Sequence, residues 1–349
     1  MIEEAIKKVL KRADLSANEA EDVFSEIAQG RVAEKEIESF LVALSHKKET
    51  AEEIAGAARA MRRFVTRIRV SKEVVLDTCG TGGDKKGTFN VSTVSAFVAA
   101  GAGVTVAKHG NRSVSGCCGS ADVLEALGVN INVGVPLIEK CLEELGIGFL
   151  YAPALHPAMR FVQPVRRSLK MRTIFNILGP LINPAFPSHQ LLGIYDKDLV
   201  PVIGQVLVQL EIRHAMVVWG EGGFDEVTTT GETFVCEVKD GHLKEYVIDP
   251  EKMGFKKAAL KDLLGEDVDT NKQIALNVLK GMGGPVRDIV LLNAGCCLYL
   301  AGSANTIKEG IDLAASSIDS GSAIKKLQKL IEYTNENLKG DSKLQEEIS

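Results

Sequence analysis

The stretch LDTCGTGGDKKGTFNVST, residues 76–93, sets four glycines and a run of hydroxyl side chains between two apolar segments. Glycine loses more backbone entropy on folding than any other residue, so a loop this rich in it must need close approach or unusual dihedrals. VVLDT before it reads as a buried strand, and STVSAFVAAGAG after it as a helix of small residues with a glycine end. The unit then repeats: the strand VTVAKHG, the loop KHGNRSVSGCCGSAD, the helix SADVLEALG and a further strand IGFLYA. Strands that alternate with helices need crossover connections, which implies a largely parallel sheet with helices on its faces. The alternation resumes with LLGIY, DLVPVIGQVLVQLEI and AMVVWG, followed by a hairpin-like stretch, EVTTTGETFVCEV, and more helix from about residue 257.

Residues 1–70 carry helices alone. Ser16 with Glu19, and Thr50 with Glu53, are spaced as capping boxes, and Gly30 stands where a helix should end. Ile37, Phe40, Leu41 and Leu44 share one helical face. The segment of about 156–185, rich in proline and base, fits neither texture and is expected to cross back and join the helical domain. The expected fold is α/β: a small helical N-terminal domain beside a larger domain, 71–155 and 186–349, whose mostly parallel central sheet is flanked by helices. A length of 349 residues and 45% hydrophobic content suffice for real cores. The last ten residues, GDSKLQEEIS, read as a frayed polar tail.

A formal net charge of -5 gives no global field that would attract nucleic acid or an anionic membrane. No apolar run reaches the roughly 18 residues of a membrane span, and MIEEAIKKVLKRADL lacks the apolar centre of a signal peptide. The seven cysteines are odd in number and include two adjacent pairs, 117–118 and 296–297. Neighbours in sequence rarely meet disulfide geometry, so reduced, mostly buried thiols and a cytoplasmic location are expected.

Neither of two common phosphate motifs fits the first loop. A dinucleotide fingerprint would need glycine where Lys85 stands, and a Walker A loop would need lysine where Thr88 stands. The underlying physics remains: a helix opening near Asn90 to Thr93 displays free N–H groups, and Ser92 and Thr93 add hydroxyls. The second loop sets Lys108 and Arg112 among glycines and serines before a helix that starts at Ser120. Both loops follow strands, so both lie at the carboxyl edge of the sheet, where such folds bind ligands. Two such loops suggest a ligand with more than one phosphate. Asp225 and Glu226, adjacent after a glycine pair, offer the hard oxygens magnesium wants, although adjacent acids in a turn are more often simply solvated. Arg166 offers a planar fork for a carboxylate, against the plainer reading of a solvated helix arginine. His109 beside the second loop is a candidate base or a structural histidine.

In order and spacing, GTGGDKKGTFNVST, KHGNRSVS, GSADVLEALG, RTIFNILGPLINP and FDE closely resemble the anthranilate phosphoribosyltransferase family, over nearly the whole chain. The resemblance implies a helical domain hinged to an α/β domain and a homodimer formed through the helical domain. It also implies transfer of the phosphoribosyl group of 5-phosphoribosyl 1-diphosphate to the amine of anthranilate with magnesium, the second step of tryptophan biosynthesis from chorismate. Carried over motif by motif, Gly80, Gly83, Asp84, Thr88, Asn90, Val91, Ser92 and Thr93 would line the diphosphate and ribose site. Lys108, His109, Gly110, Asn111, Arg112, Ser113, Val114, Ser115 and Gly116 would form the second loop, with Ser120 beyond. Gly80, Asn111 and Arg166 would meet anthranilate, and Ser92, Asp225 and Glu226 would serve two magnesium ions. Lys108 and His109 are the catalytic candidates.

Two positions depart from the family pattern: Gly116, in SGCCG where a second serine is common, and Lys170, where glycine is usual. Two rivals stand beside this reading. A pyrimidine nucleoside phosphorylase shares the architecture but needs neither the anthranilate arginine nor the acid pair. A non-catalytic nucleic-acid-binding relative would use the basic stretches RRFVTRIR and VRRSLKMR, but would leave the acids unexplained.

Overall fold

The computed structural model describes residues 1–84, 86–113 and 118–346, with side chains through Glu336. Four helices open the chain: α1 (Ile2–Leu10), α2 (Ala17–Ala28), α3 (Glu34–Lys47) and α4 (Ala51–Arg62). Both expected capping boxes form, Ser16 with Glu19 and Thr50 with Glu53. Glu53 does more than cap. Fully buried, its carboxylate also accepts from the Leu15 N–H and from Lys47 Nζ, both at 2.9 Å, tying the α1–α2 loop to α4. Helices α2 and α4 pack closely because residue 56 is glycine; a Cβ there would stand 2.2 Å from the Ala17 carbonyl oxygen.

Five parallel strands follow: β1 (Val75–Gly80), β2 (Thr105–Gly110), β3 (Ile147–Tyr151), β4 (His189–Gly193) and β5 (His214–Gly220). β6 (Thr233–Lys239) and β7 (His242–Ile248) add on antiparallel, giving the order β3-β2-β1-β4-β5-β6-β7. The remaining helices are α5 (Val91–Gly101), α6 (Ser120–Ala126), α7 (Val135–Lys140), α8 (Ala152–Leu155), α9 (Gln163–Leu169), α10 (Phe175–Leu181), α11 (Leu199–Gln209), α12 (Val268–Leu279), α13 (Pro285–Leu300), α14 (Ile307–Asp319) and α15 (Ser322–Glu346).

Alternating strand residues feed two large cores and a smaller cluster that holds Val75, Ala107 and Leu150. Met216 and Val218 of β5 join α5, α6 and α12 to α15 on one face, whereas Ala215 and Val217 join α11 and the N-terminal helices on the other. Val162, Val165, Phe175 and Leu178 of the crossing segment enter that second core, where Phe175 meets Phe24 edge-on at 5.8 Å. The buried thiols Cys79, Cys141, Cys236, Cys296 and Cys297 are free.

Two expectations change. The hairpin does not lie within EVTTTGETFVCEV; it turns at Asp240–Gly241, both at positive φ, between β6 and β7. Residues 340–346, read as a frayed tail, instead continue α15.

The chain runs from β1 outward through β2 to β3, then returns to place β4 on the other side of β1. Strand order therefore reverses between β1 and β4, and the crevice at their carboxyl ends is where folds of this kind bind ligands.

Candidate active site

The glycine loop leaves β1 at that crevice. Gly82, Gly83 and Gly87 all have positive φ, between 67° and 76°, which side-chain-bearing residues rarely adopt. The ends of the two switch strands are glycine for another reason. A Cβ on Gly80 would lie 2.4 Å from Asp225 Oδ2, and one on Gly193 would lie 1.6 Å from the Asp225 carbonyl oxygen. Asp225 thus lies across both strand ends, and its Oδ2 accepts the Gly82 N–H at 2.6 Å. The loop's other side is held by Arg172, which donates to the Gly83 carbonyl at 2.5 Å and stacks 3.6 Å over the Tyr195 ring. Ser45 of α3 donates to the Arg172 carbonyl, so the helical domain touches the loop through one arginine.

Helix α5 begins at Val91, within the window the sequence indicates. The Asn90 side chain does not cap it; its Nδ2 donates to Asn271 Oδ1 at 3.0 Å and to the Cys118 carbonyl at 3.2 Å. The Ser92 N–H donates to Glu226 Oε1 at 3.3 Å, which sets that carboxylate against the positive end of the helix. Below, nearly fully buried Lys108 donates to the Thr78 carbonyl at 2.7 Å and to Ser92 Oγ at 3.4 Å.

The electrostatics are lopsided. Burial, aided by the nearby charge of Asp84, pushes Asp225 up to about 7. Burial and the neighbouring Asp225 push Glu226 well above the usual carboxylate range, against the pull of Lys108. Neither acid is in an ion pair among the described residues, so their ionised forms are disfavoured as the site stands. No group of three or more His, Cys, Asp or Glu side chains among the described residues is placed to hold a metal. Magnesium commonly takes only one or two carboxylates and fills its shell with water and phosphate oxygens. Asp225, Glu226 and the Ser92 hydroxyl, all hard oxygen donors over a cradle of two glycines, fit that habit.

The second loop leaves β2 at Gly110, where a Cβ would fall 2.1 Å from Ser120 Oγ. The Asn111 carbonyl accepts from the Ala121 N–H and from Ser120 Oγ, folding the loop back onto the start of α6. Arg112 pairs with Asp122 at 3.0 Å and Glu125 at 2.5 Å and lies over the Tyr151 ring, so acids of α6 already neutralise it. Asp122 also accepts the Ser113 and Gly119 N–H groups. Val114, Ser115 and Gly116 lie outside the described residues. His109 is buried against His156, with the two Nε2 atoms 2.9 Å apart. Burial, with His156 and Lys108 adding repulsion, pushes His109 well below its ordinary value, and burial brings His156 to about 4. Both rings are neutral at neutral pH, and the His109 Nε2 is already engaged.

Arg166 rides on α9 in the crossing segment, half-buried with Cζ 5.7 Å over the Phe175 ring. Burial lowers its pKa, and no carboxylate among the described residues pairs with it. Gly80, Asn111 and Arg166 come from three segments, and no direct hydrogen bond joins them. The structure adds participants that the sequence reading did not single out: Asp77, whose Oδ1 accepts the His109 N–H; His156; Arg172; Gly193; and Asn271. Gly193, a glycine closing the strand LLG, carried a local signal; the others are joined to the site by contacts far apart in sequence.

Known proteins resemble the chain over both of its parts. Residues 3–65 match the helical bundle domain of a glycosyl transferase family, and residues 72–324 match the a/b domain of that family. The anthranilate phosphoribosyltransferase of Anaeromyxobacter dehalogenans (strain 2CP-C) is 53% identical over 334 residues, covering 96% of this chain and 99% of that protein. That of Alkaliphilus metalliredigens is 48% identical with the same coverage. Among solved structures, the anthranilate phosphoribosyltransferase of Thermus thermophilus superposes with a TM-score of 0.90 at 42% identity, covering 95% of this chain and 99% of that one. The Saccharomyces cerevisiae enzyme in complex with PRPP and Mg gives 0.88 at 30% identity, covering 96% and 98%.

Proposed function

The chain belongs to the anthranilate phosphoribosyltransferase family, and we propose how its residues divide that family's work. The reaction moves the phosphoribosyl group of 5-phosphoribosyl 1-diphosphate to the amine of anthranilate, giving N-(5-phosphoribosyl)anthranilate and diphosphate. The observation that carries the assignment is the partly buried Asp225–Glu226 pair, laid across the glycine ends of β1 and β4 at the N-terminus of α5.

The diphosphate and ribose lie along the first loop, against Gly80, Gly83, Asp84, Thr88 and the opening of α5 at Asn90, Val91, Ser92 and Thr93. Backbone N–H groups and hydroxyls there are donors already aimed at anionic oxygens. Asp225, Glu226 and Ser92 hold magnesium, as two ions. When bound, magnesium neutralises the negative charge that grows on departing diphosphate. Lys108 donates to Ser92 from beneath and pulls against the burial that raises Glu226. In the second loop, Lys108 to Ser113 and Ser120 meet the phosphates through backbone groups and hydroxyls, because Arg112 is committed to Asp122 and Glu125.

Anthranilate brings a carboxylate that must be held and an amine that must attack C1. The Arg166 fork, half-buried and without a carboxylate partner, takes the carboxylate, and Asn111 and Gly80 complete that side. An aromatic amine is uncharged at neutral pH, so its lone pair attacks without prior deprotonation as the C1–O bond to diphosphate breaks, and the nitrogen then gives up one proton to diphosphate or water. By analogy with glycosyl transfer, C1 passes through an oxocarbenium-like state. What remains for the protein is to align the two substrates and stabilise the leaving charge. His109 and His156, neutral and bonded to each other, brace the base of the second loop rather than shuttle the proton.

The same reading assigns the crossing segment 156–185 to the helical domain, whose core it shares. It also pairs two chains through that domain and places the enzyme in the cytoplasm. No helix among the described residues is long and apolar enough to cross a membrane.

Purified protein mixed with magnesium, 5-phosphoribosyl 1-diphosphate and anthranilate should quench anthranilate fluorescence and release diphosphate in equal amount. Omitting any one component should stop both signals. Phosphate-dependent cleavage of thymidine or uridine, with no loss of anthranilate, would transfer the site to the phosphorylase chemistry.

A further inference from the structure

Asn271 lies on α12, outside every motif that marks the site, yet it is nearly fully buried and all its hydrogen-bonding atoms point at the site's scaffold. Its Oδ1 accepts twice from Asn90: from the backbone N–H at 3.0 Å and from Nδ2 at 3.0 Å. Its Nδ2 donates to the carbonyls of Gly265 and of Asp267, the latter at 2.8 Å. Gly265 is pressed against the glycine loop: a Cβ there would fall 2.5 Å from the Phe89 Cα, and the Gly265 N–H donates to the Gly87 carbonyl at 2.8 Å. Asn90 in turn reaches the Cys118 carbonyl in the second loop. One amide therefore joins the last residue of the first phosphate loop, the loop 263–267 beneath it and, through Asn90, the second phosphate loop.

This arrangement solves a problem that the start of α5 poses. An asparagine at a helix N-cap usually turns its side chain onto the helix's own second or third N–H. Asn90 does not, because Asn271 draws its side chain away. The Val91 N–H donates to the Phe89 carbonyl at 2.7 Å, but the next N–H groups are thereby spared the Asn90 side chain as acceptor, and the Ser92 N–H is left to Glu226. Both consequences favour an anionic ligand over a self-capped helix.

We propose that Asn271 is a positioning residue for 5-phosphoribosyl 1-diphosphate: by holding Asn90 off its own helix, it keeps the α5 N-terminus open and in register with both phosphate loops. The proposal rests on the phosphoribosyl transfer assigned above. Asn271 touches neither substrate in this account; it acts through Asn90.

The experiment is a double-mutant cycle on the full chain, read in kcat/KM for each substrate. The wild-type protein is assayed first, and its failure to turn over the two substrates would refute the reaction rather than the role of Asn271. With an active wild type, Asn271→Ala should lower kcat/KM for 5-phosphoribosyl 1-diphosphate by about 10- to 100-fold, as expected for misplacement of a binding group by a fraction of an ångström to about 1 Å. The KM for anthranilate should stay within about twofold, since a residue acting through Asn90 leaves the Arg166 side alone. In an Asn90→Ala background the same substitution should add little, because coupled residues are non-additive. Equal losses for both substrates, or full additivity with Asn90→Ala, would overturn the proposal. Asn271→Asp gives a second decision even if the alanine variant fails to fold. It keeps the oxygen that accepts from Asn90 and gives up the amide, so it should melt as a folded protein and retain a phosphoribosyl diphosphate KM within about fivefold of wild type. A folded Asn271→Asp protein with that KM raised beyond about 50-fold would overturn the proposal as surely.

Discussion

Replacing Asp225 with asparagine should make the metal-free protein more stable while crippling its response to magnesium. The fold holds Asp225 partly buried beside Asp84 and Glu226, and its pKa rises from 3.8 to about 7. That rise corresponds to roughly 4 kcal/mol between the two protonation states. Because the folded carboxyl binds its proton more tightly than the unfolded one, the penalty is fully present above pH 7. It fades as the pH falls through 7, and is gone below about pH 4, where both states are protonated. Asparagine keeps an oxygen for the Gly82 N–H and removes the charge. It also relieves Glu226, which Asp225 disfavours. In divalent-free buffer at pH 8, the variant should gain roughly 2–4 kcal/mol, a rise of several degrees in melting temperature at about 2 °C per kcal/mol. The gap should close as the pH is lowered to 4. Added magnesium with 5-phosphoribosyl 1-diphosphate should raise the melting temperature of the wild type and much less that of the variant. Differential scanning calorimetry at pH 4, 6 and 8, with and without these ligands, measures both halves. A variant less stable than wild type at pH 8 without metal would refute the claim that Asp225 is a strained, metal-awaiting charge.

Arg166→Ala should raise the anthranilate KM by about 30-fold or more, the equivalent of roughly 2 kcal/mol or above, while leaving the phosphoribosyl diphosphate KM nearly unchanged; unchanged anthranilate kinetics would remove Arg166 from the site. His156, held near 4 by burial, should make the fold acid-sensitive. Its folded pKa lies below the unfolded 6.5, so its contribution is intact above pH 6.5 and is lost as the pH falls toward 4, by about 3 kcal/mol at most. The difference in melting temperature between wild type and His156→Gln should therefore shift in favour of the variant across that window, and a difference flat with pH would contradict the neutral-pair reading. Lys170→Gly should stabilise the protein by about 1 kcal/mol in urea unfolding, because Lys170 ends α9 at φ 48°, where glycine is unstrained; a loss of stability would show that the lysine side chain makes a compensating contact.

What the sequence reveals and what it hides follow from how local each signal is. Capping boxes at Ser16 and Thr50, the strand–loop–helix alternation and the start of α5 are written in residues within one turn of each other, and the structure reproduces them. β7 is hard to see in the sequence because an edge strand exposed on both faces, with polar His242, Lys244 and Glu245 among its residues, carries little apolar alternation. Without it, the hairpin falls one strand too early. The departure at Lys170 acquires a meaning only from its dihedral angles, since a left-handed helix end is the place where relatives have reason to use glycine. Within the site, the loops announce themselves through composition. The carbonyl of Asp225 over Gly193, the ring of His156 against His109 and the amide of Asn271 under Asn90 are contacts across 32, 47 and 181 positions, and no local pattern encodes them. Arg112 shows the complementary limit: its charge is legible, but its commitment to Asp122 and Glu125 is not.

The central claim is that the acid pair at the β1–β4 switch holds the metal of a phosphoribosyl transfer. It is tested most directly by titrating magnesium against the rate of anthranilate consumption, in the wild type and in the Asp225→Asn, Glu226→Gln double variant. The account predicts a saturable magnesium dependence in the wild type, and in the variant a requirement shifted to far higher magnesium or a rate that magnesium no longer rescues. Superimposable titrations would contradict it.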